Sequence, residues 1–180
     1  MTDPTLRSAL RARTTPSHQE LDSAVGHFAD LPAYGKFTRD TYRFRRAVEA
    51  SFALAPAGWD IDPIASLAAQ DLADLALPVP PAAEMAPTIA TPAQRLGVAY
   101  VLEGSSLGAR MLVREAHKLG LTDVHGARHL ARQAGDHERW RRFMAELDAT
   151  TAAPEDVIAA AEATFRFALS IYANAAHEPA

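Results

Sequence analysis

A chain of 180 residues, 48% hydrophobic and 22% charged, is long enough to bury one sizeable core and short for two domains. Its net charge of −4 leaves no electrostatic footprint for nucleic acid, and its basic residues are 16 Arg against 2 Lys. The absence of cysteine excludes disulfides, thiolate metal sites and cysteine nucleophiles.

The N-terminal run from Met1 through Pro4 to Leu10 has no apolar stretch behind a basic start, so no secretory signal is expected. Nowhere does an apolar run approach the roughly 18 residues of a membrane span, and the expected setting is the cytoplasm. Leu6, Leu10, Leu21, Val25 and Phe28 predict a first helix, with Thr14 and His18 between them. Pro16 should kink or restart it, Thr15 serving as the new cap. After a break at Asp30-Leu31-Pro32, a second helix over about 34–55 turns Tyr34, Phe37, Phe44, Val48 and Phe52 inward and Arg39, Arg43 and Arg46 outward. Asp62-Pro63 opens a third helix through Ile64, Leu67, Leu72 and Leu75. Pro78, Pro80, Pro81 and Pro87 stiffen the connection that follows, which is no domain boundary.

The fourth segment carries the most unusual pattern. Thr91 can cap it, Pro92 suits its first position, and Leu96, Tyr100, Leu107 and Met111 keep helical spacing as far as about Lys118 and Gly120. Gly97, Gly104 and Gly108 fall on one face of it. Each interior glycine costs about 1 kcal/mol against alanine, so either a flat ligand or another backbone is expected close to that stripe. A short helix follows over about 124–133, ending at Gly135. Asp136 can cap another that buries Trp140, Phe143 and Leu147. Pro154, Glu155 and Asp156 start a last helix through Val157, Ile158, Ala161, Phe165, Ala168, Ile171 and Tyr172. No alternating pattern is long enough for a strand. The expected fold is all-α, a single domain over 1–180 with seven or eight helices.

Of the seven histidines, His18 is placed on the apolar face of the first helix, as a satisfied core residue or as a ligand. His125 and His129, at i and i+4, can chelate a metal, although Arg128 and Arg132 beside them suggest plain surface. His27, His117, His137 and His177 show no partner in the sequence. There is no pair of Glu-x-x-His motifs for a di-iron bundle, and no nucleophile elbow, P-loop or dinucleotide fingerprint.

Leu10-Arg11-Ala12-Arg13-Thr14-Thr15-Pro16-Ser17-His18 and Tyr100 to Leu112, with Glu103-Gly104-Ser105-Ser106-Leu107-Gly108, resemble the haem oxygenases, above all the shorter bacterial ones. The spacing of Tyr34, Phe37 and Glu49, of Trp140 and Phe143, and of Thr164-Phe165 is similar too, so the resemblance spans about 10–172. It implies His18 as proximal ligand of the haem iron, with Asp22 orienting its other ring nitrogen. Arg11 and Arg141 would hold the propionates, and Tyr100, Gly104, Ser105 and Gly108 would form the distal side, where dioxygen binds. It further implies oxidative cleavage of haem, which is both substrate and cofactor, to biliverdin, carbon monoxide and iron, fed by an electron donor such as ferredoxin or a reductase. Neither nucleic acid nor membrane is an expected partner. Animal members carry an aspartate where this chain has Ser105, and a second glycine where it has Ala109. The aspartate anchors proton-delivering water, so Arg110, Glu103 or ordered water is expected to substitute. A haem carrier or sensor without turnover, or a relative holding another flat ligand, would need the same residues.

Overall fold

The computed structural model describes residues 5–173 and arranges them as seven helices. These are α1 (Leu6–Val25), α2 (Leu31–Ala53), α3 (Ala65–Asp74), α4 (Pro92–Lys118), α5 (Arg128–Gly135), α6 (Arg139–Ala149) and α7 (Pro154–Tyr172). Met1–Pro4 and His177 lie outside the described residues. Among the described residues there is no strand, only isolated bridges from Thr122 to His125 and Gly126.

The local signals act mostly where expected. Asp30, expected only as part of a break, caps α2 instead, its carboxylate accepting from the Ala33 N–H at 2.8 Å, so the helix starts at Leu31 and not at about 34. Thr91 and Gln94 form a reciprocal capping box at α4, with Pro92 at the first helical position. Asp136 accepts from the backbone N–H groups of Glu138 and Arg139, both at 3.0 Å, and so starts α6. Two further expectations are corrected. Pro16 sits inside a continuous α1 capped by Thr5, and the Thr15 hydroxyl donates back to the Arg11 carbonyl at 2.6 Å instead of capping a new helix. The short fifth helix begins at Arg128, because Thr122–Gly126 forms a bridged turn before it.

The organising contact is between α4 and α7. Leu96, Val98, Ala99, Val101 and Leu102 are buried beside Val157, Ile158, Ala161, Phe165 and Ala168. Gly97 makes that closeness possible: a Cβ there would lie 2.2 Å from the Val157 carbonyl oxygen and 2.9 Å from the Ala161 nitrogen. Here backbone meets backbone, and only glycine fits. Further along, Ala109 and Leu112 share a second buried cluster with Tyr172, so α4 and α7 run side by side in the same direction.

Helix α1 lies along another side of α7. Arg13 pairs with Glu162 at 2.9 Å, and the His18 ring lies 6.0 Å from that of Phe165. Both α1 and α4 lean on α7 and on α6 while hardly touching each other. The space between them, with α7 at its base, is the candidate crevice.

Candidate functional site

One wall of the crevice is α1. The His18 side chain is 55% exposed, and its Nδ1 is 3.0 Å from Asp22 Oδ2 one turn on. A carboxylate only accepts, so Nδ1 carries a proton, and in the neutral ring Nε2 is the nitrogen with the free lone pair. His18 is therefore no satisfied core residue. Its nitrogen is oriented by a neighbour and open to a ligand, the arrangement of a metal-binding imidazole.

The opposite wall is α4. Gly97 touches α7 at Val157, Ala160 and Ala161, and seven residues further Gly104 stands level with about 164–168 of α7. Phe165, the neighbour of His18, is in that interval, so His18 and Gly104 sit at the same height on either side of the floor. A Cβ at Gly108 would meet nothing within 4 Å, and one at Gly104 would meet only the Trp140 ring edge at 3.6 Å. The three glycines thus divide. Gly97 is a helix contact, Gly104 bares its backbone beneath the Trp140 ring edge, and Gly108 faces open space. Leu107 and Met111, 48% and 62% exposed, complete an apolar arc beside them, and Ser105 stands at its other edge.

Tyr100 is half-buried with its ring 5.8 Å from Trp140, which also leans over Gly104. Arg11 is exposed on α1 two turns before His18, and its guanidinium has no partner among the described residues. Arg141 is 79% exposed at the start of α6 and pairs with Glu138 at 2.9 Å. Past His18 on the same stripe of α1, Val25 joins Ala24, Phe37 and Tyr172 around a cavity of about 420 Å³. Asp40 also lines it, buried beside Lys36 Nζ at 3.1 Å, and burial pushes its carboxyl above the usual range.

The back of α4 is polar and sealed. Glu103 accepts from Trp59 Nε1 at 2.9 Å and from Arg139 Nε and Nη2, both at 2.7 Å. Burial would lower the Arg139 value, but the bonds from Glu103 outweigh it and hold the guanidinium above its ordinary value. With both oxygens engaged on that side, Glu103 is committed to structure.

Two histidine expectations fail. His129 is fully buried, its Nδ1 2.7 Å from a fully buried Asp71, while His125 lies in the turn before α5. The pair at i and i+4 therefore shares no helix face, and no group of three or more potential ligands clusters among the described residues. His27 does have a partner: its Nδ1 lies 2.9 Å from Glu115 on α4, which also accepts from the Phe28 N–H at 3.3 Å. That contact straps the turn after α1 to the distal wall. No sequence signal announces it, because 88 residues separate the partners.

Comparisons with known proteins bear on the family and the fold. The family profile described as Heme oxygenase matches residues 66–173, which takes in α4 but not α1. The chain is 34% identical over 149 residues to Heme oxygenase PigA of Pseudomonas aeruginosa, covering 77% of this chain and 75% of that one. It is 31% identical over 148 residues to a heme oxygenase of Xanthomonas campestris pv. campestris, covering 78% and 88%. The fold superposes on the NO- and CO-bound heme oxygenase of Neisseria meningitidis with a TM-score of 0.76 and 30% identity, over 93% of this chain and 90% of that one.

Proposed function

This chain belongs to the haem oxygenase family, and from that premise we propose that haem lies between α1 and α4, its iron on Nε2 of His18 and its other face on Gly104 and Gly108. The protein is a haem-degrading enzyme. What supports the placement is an exposed, carboxylate-oriented imidazole on α1 beside α7, together with an α4 on which Gly108 faces open space and Gly104 only the Trp140 ring edge. A flat apolar disc matches a slot with bare backbone on one side, Leu107 and Met111 at its edge and Phe165 at its floor.

Haem, when bound, is both the substrate and the centre that takes up and activates dioxygen, giving biliverdin, carbon monoxide and iron. The chain's own residues do the rest. Asp22 holds the His18 ring in one orientation and one tautomer. Arg11, unpaired on the same helix, supplies a cation for a propionate, and Arg141 supplies a second once it leaves Glu138. Tyr100 and Trp140 narrow the slot at Gly104. With Glu103 locked behind α4 and Glu115, further along the glycine stripe, held by His27 and the Phe28 N–H, no uncommitted carboxylate of α4 stands beside Gly104 and Gly108, so water must carry protons there. An external electron donor, a ferredoxin or a reductase, and a cytoplasmic setting complete the reading. No helix among the described residues is long and apolar enough to cross a membrane.

No feature of the described residues favours a carrier or sensor without turnover. The test is to add hemin to the purified protein, record the Soret band, and supply ferredoxin with its reductase in the presence of catalase. Decay of the Soret band with growth of a broad red biliverdin band is expected, and His18→Ala should lose both the axial-ligand spectrum and nearly all turnover. A bound but persistent Soret band would reject the enzymatic reading, and a wild-type spectrum in His18→Ala would reject the ligand.

A further inference from the structure

Ser105 occupies the place on α4 where a proton-handling residue is needed, and its surroundings fix which way its hydroxyl can act. Its Oγ lies 2.6 Å from the Leu102 carbonyl oxygen. A carbonyl only accepts, so the single hydroxyl hydrogen is directed there. Gln133 of α5 is in hydrogen-bond contact with the same Oγ, and with that hydrogen already placed, the amide must be the donor. Ser105 then keeps one lone pair and no hydrogen to offer. Its neighbour Ser106 is tied back in the same way, to the Glu103 carbonyl at 2.7 Å.

We infer that Gln133 is a positioning residue for the haem reaction: by donating to Ser105 it keeps the hydroxyl hydrogen on the Leu102 carbonyl, so that Oγ is an acceptor-only anchor for the water that carries protons on the glycine face. A water on that anchor gives one hydrogen to Ser105 and turns the other into the crevice. A neutral anchor of this kind orients water without placing an acid on the distal side. The inference rests on the haem-binding reading above.

The charged groups packed around this part of α4 are already engaged. Glu103 pairs with Arg139 from α6, Asp62 with Arg132 of α5, Asp136 with Arg142 of α6, and Asp60 with Arg95 lower on α4. Arg110, on α4 itself, has its Nε buried without a partner. A pH response at Ser105 would therefore have to come from what bonds to it. The small polar pocket behind Ser106, which Gln133 also lines, measures about 20 Å³, room for about one water.

Gln133→Glu tests this, because the introduced carboxylate has the same shape and can only accept. It should pull the hydroxyl hydrogen away from the Leu102 carbonyl and spoil the anchor. With saturating hemin and donor at pH 8, turnover should fall about three- to tenfold, the scale of one hydrogen bond. Haem affinity by Soret titration should stay within about twofold. As pH falls towards 5, the carboxyl begins to protonate and can donate again, so the ratio of variant to wild-type turnover should climb. Ser105→Ala should lose a similar factor with a flat ratio, and Ser105→Ala combined with Gln133→Glu should be no slower than Ser105→Ala alone. Wild-type turnover by Gln133→Glu, a pH-independent ratio, or additive losses in the double variant would each overturn the inference. A wild-type protein that binds no hemin would instead overturn the reading beneath it.

Discussion

Asp22 Oδ2 lies 3.0 Å from His18 Nδ1, and Asp71 Oδ2 lies 2.7 Å from His129 Nδ1, yet the two pairs serve opposite ends. Both pin the proton on Nδ1 and leave Nε2 as an acceptor. The His18 side chain is 55% exposed towards the crevice, whereas His129 is enclosed by Tyr34 and Phe37 with its Nε2 unpartnered. Access, more than the local pair, separates a ligand from a strut.

Asp22→Leu should leave a protein that still binds hemin through His18, because the imidazole remains. Losing the orienting carboxylate should cost roughly tenfold in haem affinity or turnover, the low end of the usual range for such partners since this one is exposed. A hemin titration followed by a turnover assay reads it. Unchanged values in both would show that Asp22 is a bystander.

The three glycines should answer differently to alanine. Gly97→Ala forces a methyl group into the α7 backbone and should destabilise the apo-protein by about 2–3 kcal/mol. Gly108→Ala meets nothing and adds a better helix former, so apo stability should rise by up to about 1 kcal/mol. Gly104→Ala meets the Trp140 edge at ordinary contact and should stay level. Turnover should nonetheless fall in Gly104→Ala and Gly108→Ala, as the added methyl occupies the slot. Apo melting curves beside the hemin assay decide it; a Gly108→Ala protein as unstable as Gly97→Ala would close the proposed crevice.

Asp71 carries the junction of α3 and α5. It accepts from His129 Nδ1, from the backbone N–H groups of His129 and Arg128, both at 3.0 Å, and from the Arg128 guanidinium at 3.1 Å. Burial alone would raise its value, but these bonds outweigh it and hold the carboxyl below the ordinary range. The stability it contributes is thus fully present above the unfolded value near 3.9 and is lost as pH falls through the lower folded value. Asp71→Asn should cost about 2–4 kcal/mol at pH 7, and the gap to wild type should narrow on acidification below about pH 4. Denaturant melts at several pH values check the sign. His129→Ala should destabilise as well, while His125→Ala should change little.

His27 is 83% exposed, so its pair with Glu115 should be worth under about 1 kcal/mol to the fold. Its effect should appear in the crevice instead, because it ties the turn after α1 to α4. The His27 bond is the main reason the Glu115 carboxyl is held low, so the strap survives down to the lower carboxylate range. His27→Ala should speed haem release about two- to threefold with little change in melting temperature. Release timed by transfer to apomyoglobin measures it, and an unchanged rate would leave the strap without a role.

What the amino-acid order determined by itself was local. Caps such as Thr91 and Asp136, the helix opened by Pro92, the all-α class and the spacing of His18 with Asp22 all rest on residues within a turn or two of each other. Periodicity also put Gly97, Gly104 and Gly108 on one stripe, but it could not tell them apart, since a stripe has no knowledge of what lies over each turn. Only the tertiary structure decided that: α7 lies against the first glycine and leaves the other two open. The same holds for His129, Glu103 and His27, whose partners at 58, 36 and 88 residues' distance come together only when helices pack. Burial and access are properties of packed helices, and they made His129 a buried strut and left His18 exposed.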